Sequence, residues 1–184
     1  MFERYTEPAR RTIFFARAFA IRNSAPMIDS THLLRGLMWP DTSRAQVLFR
    51  LREKFPQYHR YSYDSLLVAT WKGKDLRLTD EVKKFLYYSA READAMEDAW
   101  VDTDHLLLGI LCISDCQIAQ QLSAAGLTLE NARATVIANR ASRPDYGPVI
   151  PLGTAPSPRV WLQSKWCCWK ARWSEKRFAA RQKK

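Results

Sequence analysis

Two stretches of the chain set aspartate and histidine at the same spacing. Asp29-Ser30-Thr31-His32 and Asp102-Thr103-Asp104-His105 each lead into Leu-Leu-x-Gly. Histidine beside carboxylates can move protons or bind a metal. Neither histidine is accompanied by a nucleophile, and each stands at the head of an apolar run, so both read as structural; His59 falls in the irregular Gln57–Arg60 segment. Cys112 and Cys116, four apart on a helix, could hold half a metal site, but the adjacent pair Cys167-Cys168 chelates poorly, and the expectation is free thiols and no metal. Glu92, Asp94, Glu97 and Asp98 form an acidic cluster that reads as a solvated face or a surface for basic segments. The chain contains no Gly-x-x-x-x-Gly-Lys-[Ser/Thr] sequence, so neither a nucleotide nor any other cofactor is expected.

The cations concentrate at the C-terminal end. Of the net charge of +10, residues 143–184 carry ten Lys or Arg against two acids, and the other 142 residues carry 19 against 17. Leu162, Trp166, Trp169, Trp173 and Ala180 fall on one helical face, with Lys165, Lys170, Arg172, Lys176, Arg177 and Arg181 around the rest. A basic helix with a tryptophan stripe suits an anionic membrane surface, a nucleic acid or an acidic protein. We take Trp166, Trp169, Trp173, Lys170 and Arg172 as its candidate binding residues.

The elements that position these groups come from a duplication. Thr6 to Met38 and Thr79 to Leu111 match without a gap at a constant offset of 73 residues. Such a match marks a repeated supersecondary unit, here a pair sharing one core. Apolar spacings of three and four predict an opening helix over Pro8–Arg22 and another over Glu81–Met96. Ser30 and Thr103 are expected to cap the buried second helices, which end near Pro40 and Asp115. Third helices are expected over Ser43–Lys54 and Cys116–Ala125, with Gly126 as a stop. Fourth helices are expected over Ser62–Thr70 and Thr128–Arg140. No strand alternation is evident, so the class is all-α.

Composition sets the boundaries. Repeat 1 spans about 1–71, the loop Trp71–Asp75 links it to repeat 2 at about 76–142, a Pro-rich linker covers 143–158, and the basic amphipathic tail covers 159–184. Neither a signal-peptide core nor an apolar run of membrane-spanning length is present, which predicts a soluble cytoplasmic protein with its tail peripheral to a membrane in the tail-centred reading.

Phe2-Glu3-Arg4-Tyr5-Thr6 followed by Arg10-Arg11, together with the twice-used His-Leu-Leu-x-Gly, resembles the Clp N-terminal domain family. That family supplies the N-domains of the unfoldases ClpA and ClpC. The resemblance covers about residues 1–142 and implies two four-helix repeats related by a pseudo-twofold axis, without the ATPase modules. It further implies binding of arginine-phosphorylated substrates, one site per repeat, through a threonine near the repeat start and a carboxylate just before the motif histidine. Thr6 and Thr79 match the threonine and Asp104 the carboxylate, whereas Thr31 lacks the two oxygens that accept a guanidinium fork. The expectation is one weakened site around Thr79 and Asp104.

These readings converge on a non-enzymatic protein-binding module. It would recruit substrates or adaptors to a Clp chaperone-protease system, or serve as an accessory subunit of one, with contacts around Thr6, Thr31, Thr79 and Asp104. The expected partners are Clp ATPase or protease subunits, adaptors or client proteins. The alternative is a membrane-surface or nucleic-acid-associated regulator working through the tail.

Overall fold

The computed structural model describes residues 2–39, 43–58 and 76–142. The fourth helix expected in repeat 1, the Trp71–Asp75 loop, His59, Pro40, the Pro-rich linker, Cys167, Cys168 and the tail lie outside these residues.

Among the described residues the chain forms α1 (Glu7–Arg22), β1 (Met27–Ile28), α2 (Ser30–Met38), α3 (Arg44–Phe49), α4 (Leu51–Lys54), β2 (Arg77–Leu78), α5 (Asp80–Ala95), α6 (Thr103–Leu111), α7 (Gln117–Ala124) and α8 (Leu129–Ala138). Short 3-10 turns follow α4 and α8. The all-α expectation holds, with one addition: β1 and β2 pair in parallel, Met27 with Arg77 and Ile28 with Leu78. Two-residue strands are too short to show alternation in a sequence.

Opening-helix starts follow capping chemistry. Thr6 Oγ1 accepts from the Ala9 N–H and Thr79 Oγ1 from the Val82 N–H, each satisfying a donor that the first turn leaves open. Pro8, in the first turn of α1, lacks a donor where none is needed. Both helices then end without glycine. Ser24 and Glu97, 73 residues apart, adopt left-handed φ of 53° and 55°. The backbone closes over them, with Ala25 N–H donating to Ala20 O and Asp98 N–H to Ala93 O.

Arg50, also left-handed at φ 49°, divides the expected third helix of repeat 1 into α3 and α4. The Arg52 N–H is turned to the Gln46 side chain at 3.0 Å. Apolar spacing across Val47, Leu48 and Leu51 carries no sign of such a break.

The two repeats bury their apolar faces together. Leu33, Leu34, Leu37 and Met38 and their counterparts Leu106, Leu107, Ile110 and Leu111 belong to one continuous core. Gly36 and Gly109 let the paired helices touch backbone to backbone: a Cβ there would come within 2.2 Å of Thr12 O and 2.4 Å of Phe85 O. Thr12 and Phe85 are themselves 73 apart. The repeated Gly of His-Leu-Leu-x-Gly is thus a packing requirement of α2 on α1 and of α6 on α5.

The repeats diverge beside this core. Phe15, Phe19 and Trp39 cluster in repeat 1, Phe19 edge to face with Trp39 at 5.6 Å between ring centroids, and the Arg35 guanidinium lies 5.9 Å from the Phe19 ring. The same places in repeat 2 hold Tyr88, Glu92 and Cys112. There a carboxylate at 6% exposure accepts from the Arg133 guanidinium, with Nε to Oε2 at 2.8 Å, and from the Cys112 thiol at 3.3 Å.

Candidate functional site

The pseudo-twofold axis exchanges partners between repeats. Thr79 N–H donates to Ile28 O at 3.0 Å, and Thr6 N–H donates to Val101 O at 3.0 Å. Tyr5 bridges Val101 in parallel, as Leu78 pairs with Ile28. Each opening helix therefore starts against the second helix of the other repeat, and two helix-start sites result. One holds Thr6 with Asp102, Thr103 and Asp104, and the other holds Thr79 with Asp29, Ser30 and Thr31. The pairing of Thr79 with Asp104 inside one repeat is replaced by this crossed arrangement, because the strand pairs connect the halves across the axis.

The repeated Asp-x-x-His is a capping box. Asp29 and Asp102, rather than Ser30 and Thr103, are the N-caps, and the histidine at the third helical position returns a ring nitrogen to the cap N–H. Asp102 N–H donates to His105 Nδ1 at 3.0 Å, and Asp29 N–H to His32 Nδ1 at 3.3 Å. An accepting Nδ1 leaves the proton on Nε2, which in His105 lies 3.1 Å from Asp98 Oδ2. His32 Nδ1 also lies 2.7 Å from Asp29 Oδ1. Burial alone would raise the Asp29 carboxyl, but the His32 side chain and the His32 N–H hold it below the ordinary carboxylate range. Both histidines keep the structural role that the sequence assigns them.

Around Asp104 the site is internally occupied. Asp102 and Asp104 are fully buried. Thr6 Oγ1 donates to Asp102 Oδ1 at 2.9 Å, and Arg44 from the start of α3 places Nε 3.3 Å from Asp104 Oδ2 and 3.9 Å from Asp102 Oδ2. The remaining guanidinium nitrogens of Arg44 reach Asn139 O at 3.2 Å and Ser142 Oγ at 3.4 Å. The carboxylate expected to receive an incoming guanidinium thus holds one from its own chain. At the other start, Thr31 corresponds to Asp104 and Gln117 to Arg44, so the charge pair is replaced by two neutral polar residues. Thr31 and Thr79 are half-buried, and Thr6 and Asp104 are buried.

Three members of the acidic cluster already hold an arginine of this chain. Arg4 bonds Asp94 at 2.7 Å, Arg140 bonds Asp98 at 3.0 Å, and Arg133 bonds Glu92. Among the described residues no three His, Cys, Asp or Glu side chains are placed to hold a metal ion. No described helix is long and apolar enough to cross a membrane.

Two helical repeats crossed on a pseudo-twofold axis, with Asp-x-x-His caps at the buried second helices, define a Clp-type N-terminal domain. The chain belongs to the Clp repeat (R) N-terminal domain family, whose model matches residues 4–125. It is 31% identical over 142 residues to the ATP-dependent Clp protease ATP-binding subunit ClpC of Staphylococcus aureus (strain USA300), and 30% identical to that of Staphylococcus saprophyticus. The match covers 74% of this chain and 17% of each relative, so the chain spans about a sixth of the curated proteins it matches. Its fold is similar to the N-terminal domain of the caseinolytic protease associated chaperone ClpD of Arabidopsis thaliana, with a TM-score of 0.54 at 19% identity over 77% of this chain and 97% of that one. It is also similar to the Hsp104 N-terminal domain of Candida albicans, with a TM-score of 0.52 at 18% identity over 76% and 93%.

Proposed function

We propose that this chain is a non-enzymatic protein-binding module that recruits client or adaptor proteins to a Clp chaperone-protease system, or joins such a system as an accessory subunit. The observation that carries this reading is the family match across both crossed repeats. The groups that elsewhere could do chemistry support it: the histidines cap helices, and Asp102, Asp104 and Glu92 are tied to Thr6, Arg44 and Arg133. Contact at the helix starts falls first to Thr31 and Thr79, which are half-buried; an external phosphoarginine reaches Asp104 only by displacing Arg44.

The tail-centred alternative rests on the stripe Trp166, Trp169, Trp173 with Lys170 and Arg172. Capture from native lysate by the full chain and by a variant lacking residues 143–184 separates the two. Recovery of Clp ATPase, ClpP or client proteins by both supports the module reading. Capture of lipid or nucleic acid by the full chain alone transfers the function to the tail.

A further inference from the structure

Two arginines fasten the end of α8 to the start of α6. The short turn Arg140–Ser142 follows α8 and returns the Ser142 N–H to Asn139 O at 3.1 Å. Arg44 reaches this turn from the start of α3: Nη2 donates to Asn139 O at 3.2 Å and Nη1 to Ser142 Oγ at 3.4 Å, while Nε faces Asp104. Arg140 reaches back from the turn, its Nη2 donating to Asp98 Oδ1 at 3.0 Å and to Glu97 O at 3.3 Å. The other oxygen of Asp98 lies against His105 Nε2. Both clasps therefore end on Asp104 and His105, consecutive residues in the first turn of α6.

The clasps differ in exposure. The Arg44 side chain is 10% exposed and that of Arg140 is 51% exposed. Solvent screens the outer clasp, so it is the weaker of the two and opens first. The inner clasp is braced by the Ala45 N–H, which donates to Thr103 Oγ1 at 3.2 Å and sets the start of α3 against the α6 cap. Duplication confines the arrangement to one half. Asp98, Asp104 and Arg44 correspond to Ala25, Thr31 and Gln117, none of which carries a charge, so neither ion pair forms at the other helix start.

We propose that residues 139–142 are a strap that holds the helix start at Thr6 and Asp104 shut, so that opening of the strap and release of Arg44 from Asp104 are one linked event. The proposal rests on the protein-binding reading and adds regulation of its site: while the strap is closed, partners meet the start at Thr79 and Thr31. Linkage runs in both directions. Cutting the outer clasp loosens Arg44, and removing Arg44 loosens the turn, while the core stays closed.

The test is hydrogen exchange followed by NMR on the full chain. Arg140→Gln with Ser142→Ala, both at exposed positions, cuts the strap. Arg44→Gln with Asp104→Thr removes the inner clasp and identifies the Arg44 Nε–H signal by its loss. Thermal melting checks that both variants fold. In the first variant the Arg44 Nε–H is expected to exchange about tenfold faster than in the wild type, and in the second the Ser142 backbone N–H about tenfold faster. The amides of Ala16 and Ala20, buried on α1, are expected to keep their wild-type rates in both. An Arg44 Nε–H rate unchanged by the first variant, a Ser142 rate unchanged by the second, or equal acceleration at Ala16 and Ala20 overturns the proposal. If the second variant does not fold, the first decides alone. Client capture by the wild type is measured in parallel: capture retained while the exchange arm fails rejects the strap and leaves the module reading standing, and absence of capture rejects that reading itself.

Discussion

Arg44 and Asp104 meet across the pseudo-twofold axis, Nε to Oδ2 at 3.3 Å, with the Asp104 side chain wholly out of solvent and that of Arg44 only 10% exposed. Their counterparts Gln117 and Thr31 are neutral, so the duplication differs at both members of the pair together. A buried charge without its partner is more costly than the pair is favourable. Arg44→Gln alone is therefore expected to destabilise the chain by about 3 kcal/mol or more. Arg44→Gln with Asp104→Thr, copying the other half, should recover most of that loss. Urea unfolding of the two single variants and the double variant gives the coupling directly, and additive losses would sink the pairing argument.

The same residue bears on ligand binding. With Arg44 in place, titration of the full chain with phosphoarginine is expected to release no heat assignable to Asp104. A saturable heat in the wild type that disappears in Asp104→Thr would show that Arg44 yields to an external guanidinium.

Much of the fold was legible because a duplication states each element twice. The 73-residue offset predicted the opening helices, the buried His-Leu-Leu helices and the shared core without reference to side-chain contacts. It could not show the crossing of the repeats, since Thr6 meets Asp102 beside a single bridge, Tyr5 to Val101, that leaves no periodic signal. The caps were misplaced by one residue because serine and threonine are good N-caps. The signal for Asp29 and Asp102 was the histidine three positions on, acting where a capping box ordinarily has Glu or Gln. The break at Arg50 stayed hidden because a left-handed arginine has no sequence signature, unlike Gly126 at φ 81°.

Gly36 and Gly109 offer a paired test of helix packing. A methyl at either meets a carbonyl oxygen that belongs to a helix backbone and cannot rotate away. Each Gly→Ala is expected to cost about 2–3 kcal/mol through overpacking, against the roughly 1 kcal/mol that alanine gains in helix propensity. Thermal melts of the two variants should fall by similar amounts; an unchanged melting temperature would mean that α1 and α2, or α5 and α6, are not held this close.

Ser24 and Glu97 predict the opposite sign. Both hold a left-handed conformation that costs an L-residue with a Cβ about 1–2 kcal/mol, while glycine adds roughly 0.5–1 kcal/mol of unfolded-state entropy. Ser24→Gly and Glu97→Gly are each expected to stabilise the chain by about 0.5 kcal/mol, and Gly126→Ala to destabilise it by about 1 kcal/mol. Urea midpoints with unchanged slopes are the readout, and a loss of stability in either Gly variant would contradict the helix-end geometry.

Glu92 links the divergence of the repeats to acid stability. The Arg133 guanidinium lowers its carboxyl below the ordinary value, outweighing burial, which raises it, and the Cys112 thiol adds to the lowering. The folded chain therefore takes up this proton less readily than the unfolded one. The stabilisation is complete above the unfolded carboxyl value of roughly 4.3 and is lost as pH falls through the lower folded value. Burial, and then the Glu92 carboxylate, push the Cys112 thiol up to about 11. Glu92→Gln removes the charge that Arg133 and Cys112 face. It is expected to lower stability by about 1 kcal/mol near neutral pH, because the Arg133 guanidinium left behind is 42% exposed and rehydrates. It should also reduce the fall in stability below roughly pH 4.3, because the proton uptake that drives part of that fall is gone. The thiol should then react faster with iodoacetamide at mildly alkaline pH, as the carboxylate that disfavours its thiolate is absent. Urea unfolding across the acid range, with alkylation of Cys112 followed by mass spectrometry, reads all three effects. A variant that keeps the wild-type acid profile would show that Glu92 carries no part of it.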